Sequence, residues 1–537
     1  MRNFRTNWVL LIVLALSGIP AAARAGGVEA EQARSLAGSI QQIITRPAFR
    51  HANFGIEFFS LDANKPVYEL NPEKLFTPAS TTKLLTEGVA LELLGPDYRF
   101  HTFVYRTGPL GPDGTLRGDL VLVASGDPDI SQRIRPGDKL AFENDDHCYG
   151  GPAVPGDPLI VLEQLARQIA GHGIKQVSGR VLVDVSLFPE GAKEQGTWTV
   201  ISPMILNDNI VDVTALPGRS SGAPVVLHIS PATTYVRFIN QATTGPANSQ
   251  PDITWSGDVM NPDGSRTVTV SGSIPLGAAP DRIPYAVPQP SRFAEMALAG
   301  CLQEEGITVS GDGGPPPNFK MLSVDYTPGN IVAEHTSPPF SQEARITLKV
   351  SQNLHASVMP YIIGAVLGHA VVNIDQAGFD LERDFLAKAG LDMSGASQSD
   401  GAGGSRAAFF TPDFMVHYLA YLYHQKVYPQ FFAGLPVLGR DGTLVDILTH
   451  SPAAGHVFAK TGTYDANDLL NRDDMVTGKG LAGYMTTAAG RHLCFAVYAN
   501  HVSVPDADDS IDNIVGRALG EIAAAAYNSP PDPPGTP

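Results

Sequence analysis

Three short segments of this chain hold residues that can do chemistry together. Ser80-Thr81-Thr82-Lys83 puts an alcohol and an amine three positions apart. On a helix, positions i and i+3 share a face, so the Lys83 amine can reach the Ser80 hydroxyl. A free serine is a poor nucleophile and needs a base beside it. A lysine serves as that base when desolvation or neighbouring cations lower its pKa. A helix start also aims backbone N–H groups at developing negative charge. The bland alternative is an N-cap serine with an exposed lysine. Ser351-Gln352-Asn353 offers a second hydroxyl and an amide that can face one cleft. The hydroxyl can shuttle a proton and the amide can hold a peptide group, or Ser351 can simply cap a helix. Lys460-Thr461-Gly462-Thr463 sets a cation among hydroxyls, a combination suited to a carboxylate or other anion. Its glycine allows close backbone approach, although a strand ending in a turn reads the same way.

Elements must position these groups. Residues 55–60 and 66–70 read as a hairpin turning at Asp62-Ala63-Asn64. Pro78 opens a helical pattern that runs to Leu94, and Gly95-Pro96 stops it. From about 98 to 320, short β-like runs (Asp119–Val123, Gly179–Val185, Val211–Thr214, Val225–Ile229, Thr267–Val270) alternate with Gly/Pro turns. One helix, Ser291 to Glu305, interrupts them. Beyond 320, Ser351–Gly368, Asp375–Ala389 and Phe414–His424 read as helices. Leu481–Thr486 and His492–Asn500 read as adjacent buried strands turning at Ala489-Gly490. The pattern predicts a multi-domain α/β protein whose main domain (26–97 and 321–527) is split by a large β-rich insertion, 98–320. Within the insertion, 98–215 with 275–320 form a second domain and 216–274 a third, and 528–537 is a disordered Pro-rich tail.

The 537 residues are too many for one ordinary core, and 43% hydrophobic content is a globular profile. The N-terminus has basic Arg2 and Arg5, an apolar run from Trp8 to Ile19, and Ala23-Arg24-Ala25 as a cleavage site. It reads as a signal peptide over 1–25, so the mature chain is expected outside the cytoplasm, in the periplasm. A retained anchor is the alternative, disfavoured because the run is short for a span. No integral span is expected in the mature form. The formal charge is −17, and losing Arg2, Arg5 and Arg24 with the first 25 residues takes it three units further, to −20. Such a surface repels nucleic acid and anionic lipid. Three cysteines are no disulfide framework: Cys301 and Cys494 read as buried, Cys148 lies in a polar stretch that suggests exposure, and no Cys/His spacing suits zinc.

The three motifs each occur once, in the order Ser-x-x-Lys, Ser-x-Asn, Lys-Thr-Gly, a set that class A β-lactamases and penicillin-binding proteins share. The chain resembles the penicillin-binding protein 4 type of D-alanyl-D-alanine carboxypeptidase/endopeptidase, peptidase family S13. The resemblance covers nearly the whole mature chain. It includes Pro78 to Thr86, Leu94-Gly95-Pro96-Asp97-Tyr98, Ser125-Gly126-Asp127-Pro128, Asn207-Asp208-Asn209, Ser337-Pro338-Pro339, Ser351 to Leu354, Leu435-Pro436-Val437, Gly439 to Leu444 and Gly483-Tyr484. The long gap between the first two motifs separates it from β-lactamases. The resemblance implies a β-lactamase/transpeptidase-like main domain and an acyl-enzyme reaction on peptidoglycan stem peptides and cross-links, with no cofactor or metal. It makes Ser80 the nucleophile and Lys83 the base. Ser351 with Lys460 delivers a proton to the leaving amine, and Asn353 orients the acyl chain. Lys460, Thr461 and Thr463 hold the terminal carboxylate, with Gly462 also in the substrate-binding segment, and the N–H groups of Ser80 and Thr463 form the oxyanion hole. β-Lactams should trap Ser80.

Several positions depart from the family pattern. Ser357 stands where an acidic residue is usual, and Asp400-Gly401-Ala402-Gly403-Gly404-Ser405-Arg406 keeps only part of its stretch, with no Asn two residues after the arginine. The segment between Thr463 and Gly483 is long and acidic (Asp465, Asp468, Asp473, Asp474) and is expected to rim the cleft. The glycines at 401–404 invite a phosphate-loop reading, which the missing Lys-Ser/Thr opposes. The run Asp506–Asp512 reads as a solvated face. Two other readings stay open: a related β-lactamase or esterase, and a catalytically silent wall-binding protein.

Overall fold

The computed structural model describes residues 35–311, 314–507 and 510–530. Residues 1–25, expected as a signal peptide, and most of the Pro-rich tail lie outside them. Asn528 and Ser529, at the start of the expected tail, are instead fastened to the last helical turn through Ala524 O (2.9 Å) and Ala526 O (2.7 Å). Among the described residues no helix is long and apolar enough to cross a membrane.

The main domain is built on an antiparallel sheet ordered Lys65–Leu70, Asn53–Ser60, His492–Asn500, Asp473–Thr486, Val457–Asp468, with Val502–Pro505 also on Asp473–Thr486. Strand side chains alternate between faces, and here both faces are covered. Leu493, Phe495, Val497 and Ala499 meet the helices Leu36–Ile44 and Arg517–Tyr527, while Cys494, Ala496 and Tyr498 meet a central helical layer. Burial on both sides explains why the strand at 492–500 reads as a continuous apolar run. The helix Thr82–Leu94 lies inside that central layer and is buried almost all round.

The insertion folds around its own core. Strands Ile331–Thr336, His101–Arg106, Leu120–Val123 and Val181–Asp184 form a four-stranded sheet. Ile331–Thr336 pairs with His101–Arg106, so the boundary expected at 320 falls inside this unit. Helix Pro290–Glu304 was legible, but a second one, Ile160–Gly171, was not expected; Leu162, Leu165 and Ile169 bury its apolar stripe. A small separate cluster (Ala215, Val225, Ala242, Val270, Ile274) packs the strands around 216–274.

A buried charge network joins the insertion to the main domain. Asp208 stands in a left-handed run, Asn207-Asp208-Asn209, with φ values of 49°, 55° and 54°. Its carboxylate meets Arg133 (3.0 Å), His147 (2.7 Å) and, across the junction, His355 (2.9 Å) on helix Asn353–Val366. Arg133 also pairs with Asp146 at 2.6 Å, and His355 lies 3.1 Å from Glu343. Cys148 is buried here, contrary to expectation, because its segment turns inward to bring Gln352 Nε2 to within 3.2 Å of its sulfur. Asp146, His147, Cys148 and Asp208 place four potential metal-ligating atoms within 4.8 Å of one another, but Arg133 and the two imidazoles already engage the carboxylates.

Burial alone would lower both histidines, yet their acidic partners outweigh it and raise each from 6.5 to about 10. A raised histidine stabilises the fold fully below its unfolded pKa and loses that contribution as pH rises through its folded one. Thermal stability should therefore decline from about pH 6.5 toward pH 10. Replacing Asp208 by Ala should cost about 3–5 kcal/mol in denaturant unfolding by removing the carboxylate that Arg133, His147 and His355 share.

Candidate active site

The serine turn comes first. Pro78 precedes a 3-10 turn, Ala79–Thr81, that feeds helix Thr82–Leu94. Ala79 has φ +48°, and Ser80 is left half-buried at the helix mouth. Lys83, one turn on, has no exposed surface, and its Nζ is 2.7 Å from Ser80 Oγ. The solvent-exposed alternative for this lysine is thus excluded.

The second motif does not open a helix in the simple way the sequence suggests. Helix Phe340–Val350, not anticipated, ends at Ser351, which takes a left-handed conformation (φ +63°) before helix Asn353–Val366 begins. Gln352, rather than Ser351, caps that helix, accepting from Leu354 N at 2.7 Å. Ser351 is thereby released toward the lysines: its Oγ lies 2.8 Å from Lys460 Nζ and 3.4 Å from Lys83 Nζ. Asn353 Oδ1 is 2.6 Å from Lys83 Nζ.

The third motif lies mid-strand, not at a strand end: Val457–Asp468 and Asp473–Thr486 form a long hairpin that carries the acidic segment outward. Lys460 points inward, fully buried, and also donates to Thr461 O at 2.8 Å. Gly462 is required by contact. A Cβ there would come within 2.4 Å of Pro78 O and 3.0 Å of Ser80 N, so only glycine lets the strand lie against the serine turn. Thr463 follows it and is exposed.

Sequence reasoning missed the supports. Ala402 O lies 3.3 Å from Lys83 Nζ. It is presented by a loop whose amides at Ala402 (2.8 Å), Gly404 (3.2 Å) and Ser405 (2.6 Å), with Gly403, donate to Asp400. That anion, not a phosphate, occupies the glycine-rich loop. From the insertion, Tyr149 donates to Ser351 O at 2.8 Å. Gly196 passes so close to Asn353 that a Cβ would sit 2.1 Å from its amide nitrogen. Neither Tyr149 nor Gly196 stands in a recognisable motif.

The electrostatics bring a neutral amine within reach near neutral pH. Burial lowers Lys83 to about 8, against the pull of Glu194, Asp400 and Glu87 in the other direction. Lys460 is held well below its ordinary value by burial and by the nearby cations Lys83 and Lys479. Asn353 Oδ1 and Ala402 O can only accept, so they take the two N–H bonds of a neutral Lys83 and leave its lone pair for the Ser80 hydroxyl.

The chain as a whole is similar to known proteins. The family described as "D-Ala-D-Ala carboxypeptidase 3 (S13) family" matches residues 36–519. The chain belongs to that family. A D-alanyl-D-alanine carboxypeptidase of Actinomadura sp. (strain R39) is 27% identical over 533 residues, covering 96% of this chain and 89% of that protein. The D-alanyl-D-alanine carboxypeptidase DacB of Haemophilus influenzae is 23% identical over 465 residues, covering 85% and 87%. The crystal structure of penicillin binding protein 4 (dacB) from Haemophilus influenzae shares the fold, with a TM-score of 0.69, 20% identity, and coverage of 91% and 98%. The α/β fold expected from the sequence, a transpeptidase-like domain with a large insertion, is therefore found.

Because Lys83 must be neutral to accept a proton, Ser80 acylation should increase with pH through about 8. Stopped-flow or quenched labelling with penicillin between pH 6 and 9.5 measures this. Lys83→Arg, whose guanidinium stays charged, should lower the rate by about 10²–10⁴-fold.

Proposed function

We propose that this S13 enzyme is a serine-type D-Ala-D-Ala carboxypeptidase, with DD-endopeptidase capacity, in which Ser80, Lys83, Ser351, Asn353 and Lys460 are the catalytic residues. The observation that carries the reading is the 2.7 Å contact between Ser80 Oγ and a lysine amine that burial lowers to about 8.

Lys83 takes the Ser80 proton as Oγ attacks the carbonyl of the penultimate D-alanine. The oxyanion that forms lies between the N–H groups of Ser80 and Thr463, adjoining at the close contact of Gly462 with Ser80. Collapse needs a proton on the leaving nitrogen. Ser351 Oγ, within reach of both amines, supplies it and is refilled from Lys460 or Lys83. The acyl-enzyme then loses its acyl group to water by the same base. Asn353 spends its oxygen on Lys83, so its amide nitrogen is the group that can hold a substrate carbonyl. A β-lactam presents a strained amide to the same oxygen and forms a long-lived ester.

The basic start, the apolar run Trp8 to Ile19 and Ala23-Arg24-Ala25 support export to the periplasm, where stem peptides are accessible.

Fluorescent penicillin should label the wild type covalently and leave Ser80→Ala unlabelled, and D-alanine release from a D-Ala-D-Ala pentapeptide should vanish in the same variant. Saturable peptidoglycan binding without D-alanine release from the wild type would favour the silent wall-binding alternative. Rapid turnover of penicillin would favour the β-lactamase one.

A further inference from the structure

Lys479 is a buried cation to which the mechanism above gives no part beyond its influence on Lys460. It stands directly opposite Thr463 in the hairpin ladder. Only 4% of its side chain is exposed, and its Nζ has two partners: Thr463 Oγ1 at 2.7 Å and the carboxylate of Asp512. The aliphatic stem passes close over Gly516, where a Cβ would lie 3.3 Å from Lys479 Cε. Asp512 belongs to the acidic run read as a solvated face, and its side chain is 63% exposed, so it ties the run to the back of the cleft.

Resting on the acyl-enzyme reading above, we propose that Lys479, acting through Thr463 and countered by Asp512, is the positioning residue that makes this cleft select leaving groups bearing a free carboxylate.

The other members of the motif are already committed. Lys460 has no exposed surface and divides its hydrogens between Ser351 Oγ and Thr461 O. The Thr461 hydroxyl donates to Thr443 Oγ1 at 2.7 Å. Thr463 differs from both. An ammonium can only donate, so Thr463 Oγ1 must accept from Lys479, and its own O–H proton is turned away from Lys479. Thr463 is the exposed residue of the motif, and the strand carrying it lies against Ser80 through Gly462. A carboxylate bound there meets a hydroxyl proton backed by a cation one hydrogen bond behind it, and hydrogen bonds to charged groups are the stronger class. Asp512 is the resident anion with which an incoming carboxylate must share that cation.

The test uses the full chain and a matched pair of acyl-D-alanyl thioesters, one leaving as thioglycolate and the other as its uncharged carboxamide. Lys479→Met should lower kcat/KM for the carboxylate thioester about 10–100-fold, mainly through KM, and change the carboxamide less than about threefold. Lys479→Arg should restore most of the preference. Equal losses on both thioesters, or no loss on either, would overturn the proposal. Asp512→Asn, a surface change that does not depend on the methionine variant folding, should raise the carboxylate-to-carboxamide ratio at least about twofold; an unchanged or lower ratio would also overturn it. Wild type that turns over neither thioester and takes no penicillin would instead overturn the enzymatic reading itself.

Discussion

Lys83 sits without solvent contact one helical turn from Ser80, and the cleft is arranged around keeping it there. Burying an ammonium is expensive, and a lysine relieves that cost by giving up its proton. The same desolvation that would destabilise an ordinary interior makes this amine a base near neutrality. Three acids, Glu194, Asp400 and Glu87, pull in the opposite direction, so the amine is poised near 8 and not stripped of its proton outright. Lys460 is pushed lower still, partly by Lys83 itself. Two amines that repel each other's protons, with one hydroxyl between them, make a short path along which a single proton can travel.

The insertion is part of that arrangement. Gln352 caps the helix that carries Asn353 and is itself held by Asp146 at 3.2 Å, from the insertion. His355, on the same helix, is tied to Asp208. Tyr149 fixes the backbone of Ser351. The second motif is therefore gripped from outside its own domain, by a network in which Asp208 is shared by Arg133, His147 and His355. A buried network of this kind adds little net stability, but it fixes one relative placement of the two units, and the lysine contacts need such a placement.

How much of this was legible follows from range. The hairpin at 55–70, the helix from Pro78 and the strands at 481–486 and 492–500 are set by local turn chemistry and period, and the structure has them. The motif residues were legible as types at fixed spacing, and their convergence followed from resemblance. Helix Phe340–Val350 was missed because Pro338-Pro339 reads as loop and no side chain caps its start. Ser351 was read as opening a helix because nothing local announces a left-handed residue whose φ is imposed by its neighbours. Cys148 was misread and Lys479 passed over for a shared reason: their partners are 204 and 16 residues away, and residues in polar stretches look solvated until a distant segment covers them.

The departures from the family pattern can be weighed on the same physical terms. In the loop at 400–406, what the cleft uses is the Asp400 carboxylate gathering amides, the Ala402 carbonyl facing Lys83, and a glycine at 403. A Cβ at 403 would lie 2.0 Å from Ala79 O, and its φ is +81°. All three are kept. Ala402 and Gly404, where the family pattern has Ser and Leu, contribute backbone to these contacts, and backbone function survives a change of side chain. Ser357 is one helical turn beyond Asn353 and buried, where a carboxyl would need a partner or a proton. Helix Thr82–Leu94 already carries one such buried acid, Glu87, raised well above its ordinary value by desolvation and by Glu343. A serine at 357 spares the interior a further carboxyl while leaving every contact of Lys83 in place.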